Sequence, residues 1–241
     1  MLQNLKDIYG HKLAASDGEI GRVKDFYFDD ITWAVRYLVA DTGTWLTDRQ
    51  VLLSPHAFGR FEQDTKILHI TLTRDKIKDC PPIHTHRPVS RQNEEEYFGY
   101  YGLSPYWDGA AAFGASTLTT IRPPPTANKL RHGHNQRDDV HLRSTQAVTG
   151  YAIEASDGTI GSVSGFMVDH KTWFIRELVV ETGHWYAGKE ILITPAKVDR
   201  IGYAESKVFV QLTKADIEKT GEHMVVKAGS SSHGLAAGPK E

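Results

Sequence analysis

Several features that define common classes of protein are scarce or missing in this sequence. Cys80 is the single cysteine among 241 residues, so no intramolecular disulfide can form and the fold must depend on packing. No stretch approaches 18 consecutive apolar residues, and the N-terminal residues lack the apolar core of a signal peptide. These absences predict a cytoplasmic protein without a transmembrane segment.

An excess of charge of one sign is also missing. The formal net charge is −2, from 28 Lys and Arg against 30 Asp and Glu. A nucleic-acid-binding protein needs a basic surface to neutralise phosphates, so we predict no nucleic-acid partner. The sequence contains no nucleophile elbow, phosphate-binding loop, dinucleotide fingerprint or HExxH motif. We therefore expect no enzymatic activity, no catalytic residues and no cofactor.

The sequence does contain a long internal repeat. Residues 16–79 align with residues 156–219 without a gap, and 22 of these 64 positions are identical. Self-similarity of this length indicates that one domain was duplicated. We name the two copies repeat one and repeat two. The predicted domains are 1–80 and 148–222, separated by a linker at 81–147 and followed by a flexible tail at 223–241.

Each repeat shows the hydrophobic pattern of short strands. Ile70 and Val210 occupy equivalent positions in runs where apolar residues alternate with variable ones, which is typical of half-buried strands. The three-residue step from Val23 to Phe26 breaks this alternation and predicts a β-bulge near Lys24 in both copies. Short strands and tight turns favour closure into a barrel, since closure removes exposed edges. The predicted fold is all-β: two small barrels in tandem, each ending in a short helical turn, with Leu38, Leu178, Ile70 and Val210 buried.

The motifs of the two repeats resemble the PRC-barrel family, which is named after the cytoplasmic domain of the photosynthetic reaction-centre H subunit. The motifs that carry the resemblance are Asp17-Gly18-x-Ile20-Gly21-x-Val23, Val35-x-x-Leu38-Val39 and Val51-Leu52-Leu53-x-Pro55. The resemblance covers both repeats and implies a non-catalytic barrel that contacts other proteins, as in electron-transfer assemblies. The family also contains a domain of a ribosome-maturation factor, which makes an RNA-related adaptor a weaker alternative.

Aromatic residues supply the candidate interaction surface, because they are frequent anchors of protein interfaces. Seven lie within 17 residues of the linker, and four tryptophans recur at equivalent turns of the repeats. We expect this linker segment to be partly ordered and to hold the two barrels together, most simply within a homodimer. The candidate interaction residues are Trp33, Trp45, Trp173, Trp185, Tyr97, Tyr100, Tyr101, Tyr106 and Trp107.

Two further sets of residues admit a structural or a functional interpretation. Asp29 and Arg36, with their repeat-two equivalents Asp169 and Arg176, predict an ion pair that pins a hairpin, or alternatively a charged spot for a partner. Histidines in the linker could supply metal ligands, but their Pro- and Gly-rich context favours a solvated segment. We therefore expect no metal bound by His84, His86, His132, His134 and His141. A small-molecule- or metal-binding barrel is the alternative to a protein-interaction function.

Overall fold

The computed structural model describes residues 2–47, 49–80, 99–102, 141–183 and 188–220. Most of these residues form strands, and the strands belong to two sheets of seven strands each. In repeat one the elements are β2 (Lys12–Ala15), β3 (Gly18–Asp29), β4 (Val35–Asp41), β5 (Gln50–Leu53), β6 (Phe58–Glu62), β7 (Ile67–Ile70) and helix α2 (Arg74–Lys78). In repeat two they are β9 (Ala152–Ala155), β10 (Gly158–Asp169), β11 (Phe174–Thr182), β12 (Glu190–Ile193), β13 (Val198–Gly202), β14 (Lys207–Val210) and helix α4 (Lys214–Thr220).

The two sheets have the same topology. Strand order is β5-β4-β3-β2-β7-β6 in one sheet and β12-β11-β10-β9-β14-β13 in the other. The pairs β2–β7 and β9–β14 are parallel, and the other pairs along these paths are antiparallel. Among the described strands, β5 does not pair with β6 and β12 does not pair with β13, so the two ends of each path are not joined. The described residues are therefore mostly β, and the predicted duplication is confirmed at the level of two equivalent sheets.

The seventh strand of each sheet comes from the other half of the chain. Strand β1 (Leu2–Asn4) pairs with β10, and β8 (Leu142–Ser144) pairs with β3. Each of these short strands continues into one helical turn, α1 (Leu5–Ile8) and α3 (Thr145–Val148). We call residues 2–8 hook one and residues 142–148 hook two. Hook two lies almost entirely within the predicted linker, so this part of the linker belongs to the sheet built by repeat one.

The predicted bulge is confirmed in both repeats. The register between β3 and β4 shifts between Val23 and Asp25, and the register between β10 and β11 shifts between Val163 and Gly165. An extra residue at this point turns Phe26 and Phe166 back toward the interior, where both are buried. The bulge therefore restores the inward face that strict alternation would have lost.

One hydrophobic cluster includes buried residues of both repeats. The rings of Phe28 and Phe166, one from each repeat, lie 5.4 Å apart between centroids. The predicted burial of Leu38, Leu178, Ile70 and Val210 is confirmed. The two sheets therefore do not have separate cores, and burial of apolar area across the junction stabilises the pair as one unit.

The terminal helical turns also form as predicted. The Thr73 side chain accepts a hydrogen bond from the backbone N–H of Lys76 and caps α2. The Thr213 hydroxyl accepts from the N–H of Asp216, whose carboxylate in turn accepts the N–H of Thr213. This reciprocal arrangement satisfies amide groups that the first turn of a helix leaves unpaired. Both turns bury their isoleucines, Ile77 and Ile217.

Gly21 and Gly161 explain one of the motifs shared by the repeats. Their backbones have φ values of 134° and 159°, a region that residues with side chains rarely adopt. A Cβ atom at either position would overlap the backbone carbonyl of the neighbouring strand, at Asp41 or Glu181. Only glycine lets the strands approach this closely, so both repeats keep it.

In the part of the chain that the structure describes, no helix is long and apolar enough to cross a membrane.

Candidate functional site

The two repeats contact each other at a junction formed by two hairpins, β3–β4 and β10–β11. At the turns of these hairpins, Ala34 and Phe174 form an antiparallel bridge. The N–H of Val35 donates to the carbonyl of Trp173, and the N–H of Ile175 donates to the carbonyl of Trp33, each at 2.8 Å. This reciprocal pair of hydrogen bonds, together with the reciprocal hooks, relates the repeats by an approximate two-fold axis.

Trp33 and Trp173, whose carbonyls accept these two hydrogen bonds, have an uncommon backbone conformation. Their φ values are 61° and 56°, which is rare for a bulky residue and persists only where the surroundings fix it. Both side chains are buried. The Trp173 ring packs on Phe26 and Phe58 of repeat one, with centroids 5.9 and 4.6 Å away. These tryptophans therefore lie at the contact between the repeats, with most of their side-chain surface covered.

The other predicted interaction residues do not gather at one place. Trp45 is partly buried beneath the guanidinium of Arg74, which lies 4.7 Å from the ring centroid. The Tyr100 hydroxyl donates to the carbonyl of Lys76, and Tyr101 packs on the hydrophobic core. Both tyrosines thus contact the end of repeat one, next to the buried Cys80, whose thiol has a pKa raised by burial. Four predicted residues lie outside the described part of the chain: Trp185, Tyr97, Tyr106 and Trp107.

A buried carboxylate holds hook two on repeat one. Asp25, at the bulge of β3, accepts hydrogen bonds from the hydroxyls of Ser144 and Thr145 and from the backbone N–H of Gln146. It also accepts the N–H of Phe26 at 2.7 Å. Burial raises the pKa of the Asp25 carboxyl, and these four hydrogen bonds offset part of that effect because they favour the charged form.

The equivalent position on repeat two has no carboxylate. Gly165 stands where repeat one has Asp25, and the side chain of Asn4 lies over it. A Cβ atom at Gly165 would be 2.8 Å from Oδ1 of Asn4, too close to be accommodated without movement. Leu5, fully buried, takes the place that Thr145 has in hook two. Sequence reasoning identified this position only as a bulge.

The predicted Asp–Arg pair forms in repeat one. The Arg36 guanidinium lies 3.4 Å from the Asp29 carboxylate, and both side chains are buried. Asp29 also accepts the backbone N–H groups of Ile31 and Thr32, so it fixes the turn as expected. In repeat two the arrangement differs, because Arg176 is exposed and lies over the ring of Phe174. Identical residues therefore have different environments in the two repeats.

An open cleft of about 670 Å³ lies beside the junction. It is bordered by the β6–β7 hairpin of repeat one, by the β10–β11 turn of repeat two and by hook one. Its lining residues include Gln3, Arg60, Gln63, Asp64, His170 and Trp173.

The 140-residue correspondence between the repeats maps this polar cleft onto a second position, which is bordered by Asp30, Arg143 and Tyr203. Here the Asp30 carboxylate accepts from Arg143 at 2.7 Å and lies 2.9 Å from His141 Nδ1.

The second position differs from the cleft in having exposed apolar side chains. Ile31 and Tyr203 are 64% and 66% exposed, while the equivalent residues beside the cleft are Lys171 and Gln63. From the repeat correspondence we infer that Ile31, Tyr203, Asp30, Arg143 and Arg200 border one face, which we name the apolar–charged face. No sequence signal singled out Ile31 or Tyr203, because one exposed apolar residue in a turn is unremarkable.

The predicted linker histidines can be placed only in part. His84, His86, His132 and His134 lie outside the described residues, and the Nδ1 atom of His141 lies 2.9 Å from the Asp30 carboxylate. Within the described residues there is no group of three His, Cys, Asp or Glu side chains that could hold a metal ion. The expectation about metal binding therefore stays a prediction for the linker.

Fold and junction together define a mostly β protein in which two repeats exchange short strands. No protein-family model matches the sequence. The chain is 34% identical over 61 residues to an uncharacterized protein of Deinococcus radiodurans. The aligned part is 25% of this chain and 22% of that relative, so the match spans about a fifth of the relative's length and assigns no activity.

Proposed function

We propose that this chain is a non-enzymatic protein-interaction or scaffold protein built from two PRC-type β-barrels. The sequence resemblance supports the barrel type, and the shared strand order of the two sheets is compatible with it. The reciprocal hooks and the joint core connect the two repeats. A molecule with two related but chemically different faces suits a protein that holds a partner in a fixed orientation.

The observation that carries the proposal is the divergence of the two equivalent positions beside the junction. Where one position has the polar residues Lys171 and Gln63, the other has the exposed Ile31 and Tyr203, with the charged residues Asp30, Arg143 and Arg200 around them. Exposed apolar side chains bordered by charges are typical of protein interfaces, in which a few large residues contribute most of the binding energy. The partner that fits this face is a protein with an apolar patch and polar groups around it.

Exchange of the face for its polar counterpart tests the proposal. Ile31→Lys with Tyr203→Gln gives repeat-equivalent residues, so both replacements are known to suit the local backbone. Tagged wild-type and variant chains are used to capture proteins from native extract, with quantitative mass spectrometry. We expect at least one captured protein to be depleted about tenfold or more with the variant, which corresponds to about 1.4 kcal/mol of binding free energy.

The control is Lys171→Ala with Gln63→Ala, which changes the equivalent polar position. The control chain should capture the same proteins as wild type, and circular dichroism should show that all three chains are folded. Equal capture by wild type and by the Ile31→Lys, Tyr203→Gln variant would contradict the proposed face.

The homodimer and the cytoplasmic location remain predictions. Gel filtration can check the homodimer, and cell fractionation can check the location.

The polar cleft favours a second candidate function, binding of a small polar molecule. Its volume of about 670 Å³ lies in the range of small-molecule sites. It combines the aromatic Trp173 with groups of both charges, Arg60 and Asp64. A thermal-shift screen of polar metabolites tests it: a stabilising ligand whose effect is lost in Arg60→Ala with His170→Ala would support this function.

A further inference from the structure

The two hooks have the same backbone course but different side chains at the points of contact. In hook two the contact residues are Ser144 and Thr145, which both donate hydroxyl protons to the Asp25 carboxylate. In hook one the equivalent residues are Asn4 and Leu5. Leu5 has no donor, and Asn4 instead fills the space above Gly165.

The side chains of each hook complement the bulge of the other repeat and do not complement the equivalent bulge of their own repeat. Hook one placed on repeat one would put Asn4 into the space of the Asp25 side chain. It would also put Leu5 where Thr145 donates, so a buried carboxylate would lose hydroxyl partners that favour its charged form.

The reverse exchange also loses favourable contacts. Hook two placed on repeat two would bring the buried Thr145 hydroxyl opposite Gly165, where it loses its hydrogen bond to a carboxylate and keeps only a backbone carbonyl as acceptor, as at Phe26. The smaller Ser144 would leave part of the Asn4 volume empty. A lost charge-assisted hydrogen bond and unfilled space both weaken association.

We propose that these side chains form a pairing code, so that repeat one and repeat two recognise each other and reject a repeat of their own kind. The code has two halves: Asp25 with Ser144 and Thr145, and Gly165 with Asn4 and Leu5. The junction is then a specific binding surface whose partner is a complementary repeat. The covalent link between the repeats raises their local concentration but does not determine the choice of partner.

Cutting the full chain between the repeats tests this inference. A protease site is inserted after Ala127, the folded protein is cut, and native mass spectrometry gives the composition of the product. We expect the fragments to stay together as a one-to-one complex. After denaturation and refolding of the cut protein, mixed pairs should exceed same-repeat pairs at least tenfold.

The variant Gly165→Asp tests the code itself in the same cut protein. The new side chain overlaps Asn4, so the dissociation constant of the fragments should rise at least tenfold. Adding Asn4→Ser with Leu5→Thr rebuilds the Asp25 arrangement in repeat two and should restore association, even if Gly165→Asp alone does not fold. Separation of the fragments on cutting, equal amounts of mixed and same-repeat pairs, or failure of the triple variant to recover association would overturn the proposal.

Discussion

Repeat one and repeat two build the same sheet, yet each holds the hook that it receives in a different way. Repeat one uses a buried carboxylate that accepts four hydrogen bonds. Repeat two has no side chain at the equivalent position, because Gly165 leaves room for the side chain of Asn4. A common backbone geometry therefore does not fix the chemistry of a contact, and duplication allowed the two contacts to diverge while the pairing was kept.

The largest expected effect concerns the aromatic anchor that repeat two contributes to repeat one. Trp173→Ala removes a buried ring that packs on Phe26 and Phe58, and we expect a loss of about 3–5 kcal/mol in the free energy of unfolding. Trp45→Ala is the matched control, because this tryptophan is only partly buried and lies away from the junction, and it should cost clearly less. Urea denaturation followed by circular dichroism measures both. Equal losses would mean that the junction contributes no more than a partly buried position at the edge of the core.

The next comparison uses two arginines that are identical in sequence but differ in burial. Arg36→Ala leaves the buried Asp29 carboxylate without its ion pair, which should cost about 3 kcal/mol. Arg176→Ala removes an exposed side chain and should change stability by less than about 0.5 kcal/mol. The same denaturation experiment compares them. If the two substitutions had equal effects, the different environments of the repeats would have no energetic meaning.

The smallest effect is a dependence on pH that only repeat one should show at the bulge. Burial raises the pKa of Asp25 in the folded protein, so the folded state holds this proton more tightly than the unfolded state does. Its contribution to stability is complete below about pH 4, the ordinary range of an Asp carboxyl, and is lost as pH rises through the raised pKa. The difference in unfolding free energy between wild type and Asp25→Asn should therefore decrease from pH 4 upward.

Asp216 provides a control of opposite sign. Hydrogen bonds from Thr213 lower the pKa of the Asp216 carboxyl, so its contribution is present above about pH 4 and is lost as pH falls. Wild type and Asp216→Asn should accordingly diverge as pH rises from below that range. If the Asp25→Asn difference followed the same direction as the Asp216→Asn difference, the hydrogen bonds to Asp25 would outweigh its burial.

Much of the sheet architecture could be predicted because the two repeats can be compared position by position within one chain. Paired apolar positions such as Ile70 and Val210 identified the inward faces, and the shared step from Val23 to Phe26 identified the bulge. The terminal helical turns were likewise visible from Thr73 and Ile77. All of these features depend on neighbours within a few residues or within one repeat.

The hooks could not be predicted, because their partners lie more than 100 positions away and each strand has only three residues. The one available signal was weak: Asn4 and Ser144 are capping residues at equivalent positions, each followed at the same spacing by a buried residue, Ile8 or Val148. The role of Trp173 was also hidden, since nothing in one repeat shows that its ring packs on the other. Two of the predicted interaction residues, Trp33 and Trp173, are buried at the junction, and the aromatic interaction surface itself stays a prediction.

The exchange of hooks has a consequence for synthesis on the ribosome. Leu2 pairs with Asp169, so hook one leaves the ribosome before β10 and cannot join this strand until nearly the whole of β10 has been made. At about 5–20 residues per second this delay is on the order of 10–30 s. Until then Leu5 and Ile8, which are buried in the folded protein, lack their place in the sheet of repeat two, and a chaperone can bind them.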